Sequence, residues 1–362
     1  MRSSTRTPTP TDTWWPPVSV VLAVRNEERH LPATVRHVLA QRYPGELELV
    51  IAVGRSTDRT AEIAQELAAA DPRVRVVDNP TGTTPSGLNA AIRNARHDII
   101  VRVDARGLLD PDYVRLAVEI LDATGADNVG GVLVAQGETP LEQAIARAMT
   151  SWIGIGSGGG RFDPNGRPGP VDTVYLGVFR RAVLERLGGY DENLIRTQDW
   201  ELNYRIRRDG GVVWCDPRLR VTYRPRPNLT SMAAQFYSNG RWRRAVGRLH
   251  PGTLRFRYLA PPVTTVGCLA GALLGLVGVA MPPLMVAWSV PAAYLVAIVV
   301  GSAIAGRELP WRARLWLPLV LVVMHLTWGI GFLTSPHSLG RATPRPPRVD
   351  DAVARAAARD RR

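Results

Sequence analysis

The sequence contains no lysine. All 45 of its basic residues are arginine, set against 32 acidic ones, a formal net charge of +13 over 362 residues. Replacement of every Lys by Arg reads as a GC-rich coding bias, so arginine content alone points only weakly to phosphate chemistry. The surplus charge suits nucleic acid, anionic lipid or a phosphorylated substrate. Zinc-ligand spacing, a recognition-helix pattern and an RNA-binding aromatic signature are all missing, so nucleic acid ranks last and no nucleic-acid partner is expected. Cysteine is scarce too: Cys215 and Cys268 are the two present, the second in an apolar run. They build neither a disulfide framework nor a metal cluster, which fits a reducing compartment. Residues 1–16 are polar and rich in Pro and Thr, without the apolar stretch of a secretory signal. They read as a disordered tail whose Trp14 and Trp15 are passive or touch the domain or a membrane surface. No GxGxxG follows the first apolar run, which disfavours a Rossmann-type dinucleotide fold.

What is present is alternation. Apolar β-branched runs at 18–24, 47–53, 73–78 and 99–103 read as strands. Helical patterns at 31–40, 60–70 and 87–95 separate them, with 80–85 as loop. This order predicts an α/β fold, a mainly parallel sheet with helices on both faces. Polar segments follow the strands: Arg25-Asn26-Glu27-Glu28 after the first, Gly54-Arg55-Ser56-Thr57-Asp58 after the second, and Asp104 after the fourth. Open α/β sheets bind ligands at these C-terminal ends. Ser56, Thr57 and Asp58 are also cap-type residues, so helix capping accounts for part of their presence. Further on, helices are expected at 110–123, 141–149 and 182–187, the last closed by Gly188-Gly189. Strands are expected at 129–134, 173–180, 212–215 and 220–223. The Gly-rich stretch 154–169, holding Arg161, Asp163 and Arg167, reads as a lid beside a site or as plain linker.

Residues 197–210, TQDWELNYRIRRDG, place Asp199 just ahead of an amphipathic helix with Leu202 and Ile206 four apart. A lone Asp there serves as an N-cap or dipole partner, or as a carboxylate for chemistry. From 231 to 248 an Arg-rich amphipathic helix carries Gln235, Phe236, Trp242 and arginines 241, 243 and 244.

Three apolar runs follow, at 263–281, 284–305 and 315–334. Each is about the 20 residues that a bilayer core requires, and none holds Asp, Glu or Arg. Three membrane helices are therefore expected, His325 facing another helix. The arginines of 241–257 and 306–314 belong on the cytoplasmic side, which puts the domain before them in the cytoplasm and the protein in the inner (plasma) membrane as a multi-pass chain. Three full crossings would leave the Arg-rich tail after Arg341 outside, against that rule. Either the tail crosses anyway, or one run is re-entrant or interfacial. The expected organisation is thus a tail at 1–16, a domain at 17–227, an amphipathic interfacial segment at 228–258, about three membrane helices at 259–336 and a basic tail at 337–362.

Taken together, VSVVLAVRNEE (18–28), GRSTDRTAEIA (54–64), GLNAAIRNA (87–95), VRVDAR (101–106), GVFRRAVLERLGGYDE (177–192) with Gln198-Asp199, and QFYSNGRW (235–242) resemble the family 2 glycosyltransferases in order and spacing. Each motif alone is weak. The likeness covers roughly 18–248, and with the apolar runs it is most similar to the membrane-attached, succinoglycan ExoA-like branch. That resemblance implies a GT-A fold and transfer of a sugar from a nucleotide-sugar donor, with inversion, to a lipid-linked or polysaccharide acceptor in cell-envelope or exopolysaccharide synthesis. Asp199 would be the general base. Glu27, Arg55, Asp104 and Arg106 would bind the donor, with Asp104 holding a divalent cation, Mg²⁺ or Mn²⁺. Gln198, Trp200, Gln235, Arg241 and Trp242 would meet the acceptor or the diphosphate, though membrane-surface contact is an equal reading for Arg241 and Trp242.

The chain departs from the family pattern in three places. Val53 stands where relatives carry an Asp that contacts the base. The DxD-type motif is Asp104-Ala105-Arg106, ending in a cation, and Gln198 replaces a usual Glu. Arg106 either supplies part of the charge that a tightly held cation would give, or points to solvent. Val53 and Arg106 also motivate an alternative, a catalytically silent nucleotide-sugar-binding or scaffold protein in the membrane. A processive synthase secreting its own polymer would need a channel, for which three spans look too few.

Overall fold

A computed structural model describes residues 15–155 and 166–340. Arg161 and Asp163, Trp14 and the tail after Gly340 lie outside the described residues. Its elements are, in chain order, β1 (Val18–Val24), α1 (Leu31–Leu39), β2 (Leu47–Gly54), α2 (Thr60–Ala70), β3 (Val74–Asn79), α3 (Thr84–Asn94), β4 (Ile99–Val103), β5 (Gly107–Leu109), α4 (Tyr113–Thr124), β6 (Asn128–Ala135) and α5 (Pro140–Thr150). After them come β7 (Gly169–Pro170), β8 (Tyr175–Arg180), α6 (Arg181–Arg186), α7 (Gln198–Arg208), β9 (Val213–Tyr223) and α8 (Leu229–Leu249). The apolar third holds α9 (Phe256–Val277), a 3-10 turn (Pro282–Trp288), α10 (Ser289–Ala305) and α11 (Trp311–Leu333).

One sheet runs β3-β2-β1-β4-β8-β6-β9-β5, with β7 on β9. The β3-β2-β1-β4 half is parallel, as its Val-rich runs, apolar on both faces, require. Beyond it β8 turns antiparallel to β4 and β6. Val101 and Val103 point to the face covered by α1, α2 and α4, while Ile100 points to the face covered by α3, α6 and α7. Two features were not expected from sequence. β5 is three residues long, too short for a period to show. The runs 212–215 and 220–223 form one strand, β9, whose register against β6 jumps between Cys215 and Arg220. Pro217 cannot donate to a ladder, so the chain loops out there, and Asp216 accepts from the Arg218 backbone N–H (3.0 Å) and guanidinium (2.8 Å). Gly131 leaves room for the Leu219 carbonyl beside it.

The helix starts follow local chemistry. At α5, Thr139 and Glu142 form a reciprocal capping box. α3 starts three residues ahead of its expected position, with Pro85 in its first turn. α4 ends on Gly125 at φ 63°.

α9, the 282–305 segment and α11 are each long and apolar enough to cross a membrane. They are not three parallel rods. α9 and the 282–305 segment form a hairpin, with Gly275 against Trp288 and Gly271 against Pro291. α11 instead runs beside α8 in the same direction. Arg244 donates to the carbonyls of Phe332 (3.0 Å) and Leu333 (2.8 Å), and Arg248 to Pro336 (2.7 Å). A third apolar cluster joins α5, α8, α10 and α11 through residues such as Ile145, Phe236, Ile298 and Leu321.

Candidate active site

Arg102 is the charged residue in β4, and the two-residue period of a strand turns it toward the α3/α7 face, where Ile100 also points. Its side chain is 3% exposed. A guanidinium at that depth persists only with partners. Its Nη2 donates to Asp104 Oδ1 at 2.9 Å and its Nη1 pairs with Asp199 Oδ1. The Tyr190 ring lies 5.6 Å from its Cζ. Burial works against the charged form, but Asp104 and Tyr190 outweigh it and hold Arg102 above the ordinary arginine value. Asp104 and Asp199, 95 residues apart in sequence, thus flank one buried cation at the C-terminal edge of the parallel strands.

Each carboxylate is held by its own element. Asp104 follows β4 directly, with the Tyr175 hydroxyl 3.5 Å from Oδ2. Burial, and then the Asp104 charge, push the Tyr175 phenol well above its usual value. Asp199 lies in the first turn of α7. Thr197, not Asp199, occupies the N-cap, with no side-chain cap bond and with φ 63°. A β-branched residue in the left-handed region is strained. α7 is pinned regardless: Asn128 Nδ2 donates to Asn203 (2.6 Å), which donates to Thr173 (2.9 Å). Arg205 joins Glu201 to the carbonyls of Leu187 and Gly189, both at 2.7 Å. Asn89 of α3 clasps the Tyr190 backbone from both sides, at 2.8 and 2.9 Å, which seats the ring beneath Arg102.

The loops after β1 and β2 lock each other. Glu27 N–H donates to Thr60 Oγ1 (2.8 Å), Thr57 N–H to Asn26 Oδ1 (2.8 Å) and Glu28 N–H to Asp58 (3.2 Å). Asp58 also caps α2 through Thr60. Capping and loop positioning are therefore one device. Glu27 accepts from Arg106 Nε at 3.0 Å and meets His30 at 2.9 Å. Arg106 thus pairs with a carboxylate at the cleft mouth, while remaining 44% exposed.

These groups line a cleft of about 640 Å³. On its far wall Gln235, Asn239 and Arg243 recur every four residues of α8. Arg243 is buried, its guanidinium sandwiched between the rings of Trp200 (3.9 Å) and Tyr258 (4.0 Å). Burial pushes its pKa down to about 10. Nε and Nη1 have no hydrogen-bond partner. Arg196 and Arg226 are on the same lining, and burial followed by the Arg226 charge lowers the pKa of Arg196. Arg196, Arg226 and Arg243 have no carboxylate ion partner among the described residues, while Arg226 donates to Gln235 at 3.1 Å. Trp328, from α11, closes the floor.

Of the residues singled out from sequence, Glu27, Asp104, Arg106, Gln198, Asp199, Trp200 and Gln235 come together on this lining. Arg55 is exposed and outside it. Arg241 and Trp242 are outside as well, because the helical period turns them away: Arg241 lies over Tyr237, and Trp242 packs with Leu194 and Val246. Val53 is buried in β2. Arg102, Arg196 and Arg226 were not singled out from sequence, and Arg243 only as one of the arginines of the 231–248 helix. A lone Arg inside a Val/Ile run, and the four-residue spacing from Gln235, were the available signals. Among the described residues no three His, Cys, Asp or Glu side chains gather as a metal cluster.

A mainly parallel sheet with carboxylates and arginines at its C-terminal edge defines a GT-A-type glycosyltransferase fold. The family model described as Glycosyl transferase family 2 matches residues 19–188. "Succinoglycan biosynthesis protein ExoA" of Rhizobium meliloti (strain 1021) is 32% identical over 319 residues, 86% of this chain and 93% of that protein. A Methanococcus voltae dolichyl N-acetyl-alpha-D-glucosaminyl phosphate 3-beta-D-2,3-diacetamido-2,3-dideoxy-beta-D-glucuronosyltransferase is 23% identical over 232 residues, 62% of this chain and 71% of that one. The mannosyltransferase PcManGT from Pyrobaculum calidifontis, solved with GDP-Man and Mn²⁺, shares the fold at TM-score 0.54 and 22% identity over 86% of each chain. The chain belongs to glycosyltransferase family 2, and it is a transferase enzyme.

Proposed function

We propose that this protein transfers a sugar, with inversion, from a nucleotide-sugar donor to a lipid-linked acceptor during exopolysaccharide or cell-envelope synthesis, from the cytoplasmic face of the inner membrane. The observation that carries the reading is the sharing of Arg102 by Asp104 and Asp199 inside one cleft. With Oδ1 turned to Arg102, Asp199 offers its second oxygen to the acceptor hydroxyl and takes its proton. The hydroxyl oxygen then bonds to the anomeric carbon as the carbon–oxygen bond to the nucleoside diphosphate breaks, and the diphosphate leaves with the electron pair. One carboxylate plus phosphate oxygens and water suffices for Mg²⁺ or Mn²⁺, so Asp104 fits a divalent cation held together with the donor. Such a cation would add positive charge at the departing diphosphate. Arg106 and Glu27 border that end of the cleft.

Support for a lipid-linked acceptor comes from the opposite wall. Arg196, Arg226 and Arg243 lack carboxylate partners among the described residues, and phosphate is the anion that such a group accepts best. Trp328 brings an apolar helix to the same lining. The succinoglycan relative supports exopolysaccharide as the setting.

The test is transfer by the purified full chain, screened across UDP-, GDP- and dTDP-sugars with lipid-linked acceptors. Asp199→Asn should lower turnover about 10²–10⁴-fold, the share of a general base, with donor binding retained. Donor binding without any turnover in the unaltered protein would favour a silent scaffold instead.

A further inference from the structure

We propose that α11 does not cross the bilayer. It lies in the membrane interface under the catalytic domain, so that the chain crosses only twice, through the α9–α10 hairpin, and residues 341–362 return to the side of the domain.

Three points along α11 carry this. Near its start, Leu317 packs with Ala305 at the base of α10, and Arg147 of α5 donates to the Ala305 carbonyl at 2.5 Å. At its middle, His325 Nε2 is 2.8 Å from the carbonyl of Ile153, in the loop after α5, and Nδ1 is 3.3 Å from the Tyr294 hydroxyl of α10. At its end, Arg244 and Arg248 of α8 hold the carbonyls of Phe332, Leu333 and Pro336. Gly340 then comes to rest beside Leu194 of the domain, where an added Cβ would meet the Leu194 side chain. Start, middle and end all touch the domain.

A crossing helix could not do this. α11 is about 34 Å long at 1.5 Å per residue, so its far end would lie at the far ends of α9 and α10, near Gly275 and Trp288. Instead Gly329 sits against Thr265 and the Pro261 carbonyl, in the half of α9 nearest the domain. The parallel partner, α8, spans no membrane either. It carries four arginines and puts Gln235, Asn239 and Arg243 on the cleft wall.

The outer face of α11 exposes Trp311, Leu315, Trp316, Leu319 and Leu333. It is continuous with the lipid-facing hairpin, so the bilayer surface is its occupant. Trp suits that depth. Charge agrees. The tail from Arg341 holds seven arginines against three aspartates, and two crossings keep them on the same side as Arg255, Arg257, Arg312 and Arg314. The conflict with the positive-inside rule disappears.

Reporter fusion to the full chain decides it. Green fluorescent protein behind Arg362 should fluoresce, and alkaline phosphatase there should be inactive. Active phosphatase behind Arg362 would mean three crossings and overturn the proposal. Because a fusion can disturb insertion, cysteine labelling gives an independent reading. In a Cys268→Ala background, Ala280→Cys in the hairpin turn should react with an impermeant maleimide added outside spheroplasts. Ala342→Cys should react only after lysis. Labelling of Ala342→Cys in intact spheroplasts sinks the proposal.

Discussion

At the scale of single residues the site turns on one guanidinium with two carboxylate clients. Arg102→Met would leave Asp104 and Asp199 as neighbouring like charges without a counter-ion. Breaking a buried pair costs about 3–5 kcal/mol, and the partial exposure of both carboxylates screens part of that. We expect a lower melting temperature and turnover reduced at least about a hundredfold. Arg102→Lys should recover stability better than activity, since an ammonium cannot fork to two partners in fixed geometry. Thermal melts beside a transfer assay separate the two effects, and equal recovery of both would count against the bridging role. Arg102 was hard to read because its strand matches the apolar pattern of any buried strand. Only the charge inside it was out of place. Asp199 was legible as a candidate, but its strained neighbour was not: nothing in a Thr announces φ 63° at position 197.

At the scale of elements, α8 has two jobs on two faces. One faces the cleft and the other seats α11. Gly240 belongs to the second, where a Cβ would run into the Trp328 carbonyl. Gly240→Val should therefore force the two helices apart, at about 1–3 kcal/mol for overpacking, and withdraw Trp328 from the cleft. Turnover should fall several-fold in a variant that alters no lining residue. Unchanged turnover together with an unchanged melting temperature would show that the seam is not needed. β1, β2, β4 and α7 were readable because their apolar spacing is dictated by burial on known faces. β9 was not, because Pro217 interrupts its ladder while tertiary pairing with β6 continues past it. α11 is long and apolar enough to span a membrane, as its sequence indicates. Hydropathy records that a helix is apolar but not whether lipid or protein lies on each side, and α11 is 39% buried against its own chain.

At the scale of the whole molecule, an excess of arginine converges on one cleft. Arg196 and Arg226 repel each other there, Arg255 and Arg257 repel Arg243, and Arg243, lowered to about 10 chiefly by burial, is still protonated at neutral pH. An anion that enters relieves the repulsion and stabilises the folded chain by mass action. At a hundred times its Kd a ligand adds about 2.7 kcal/mol, a rise of roughly 3–4 °C in melting temperature for a chain of 362 residues. We expect such a rise with nucleoside diphosphate or inorganic diphosphate. Arg243→Gln should cut it by more than half. An equal rise in wild type and variant would remove Arg243 from phosphate binding. The fold class and the location of the cleft were legible in the order of strands and polar loops. The arginine-bearing wall was not, because it assembles from α7, α8 and α9, whose mutual placement no local pattern encodes.

Trp328 sits on the cleft floor, yet the ribosome makes it after the apolar hairpin of α9 and α10. A nascent chain that has finished its sheet and both carboxylates still has an unfloored site. The cleft is therefore complete only once α11 has been made, after α9 and α10.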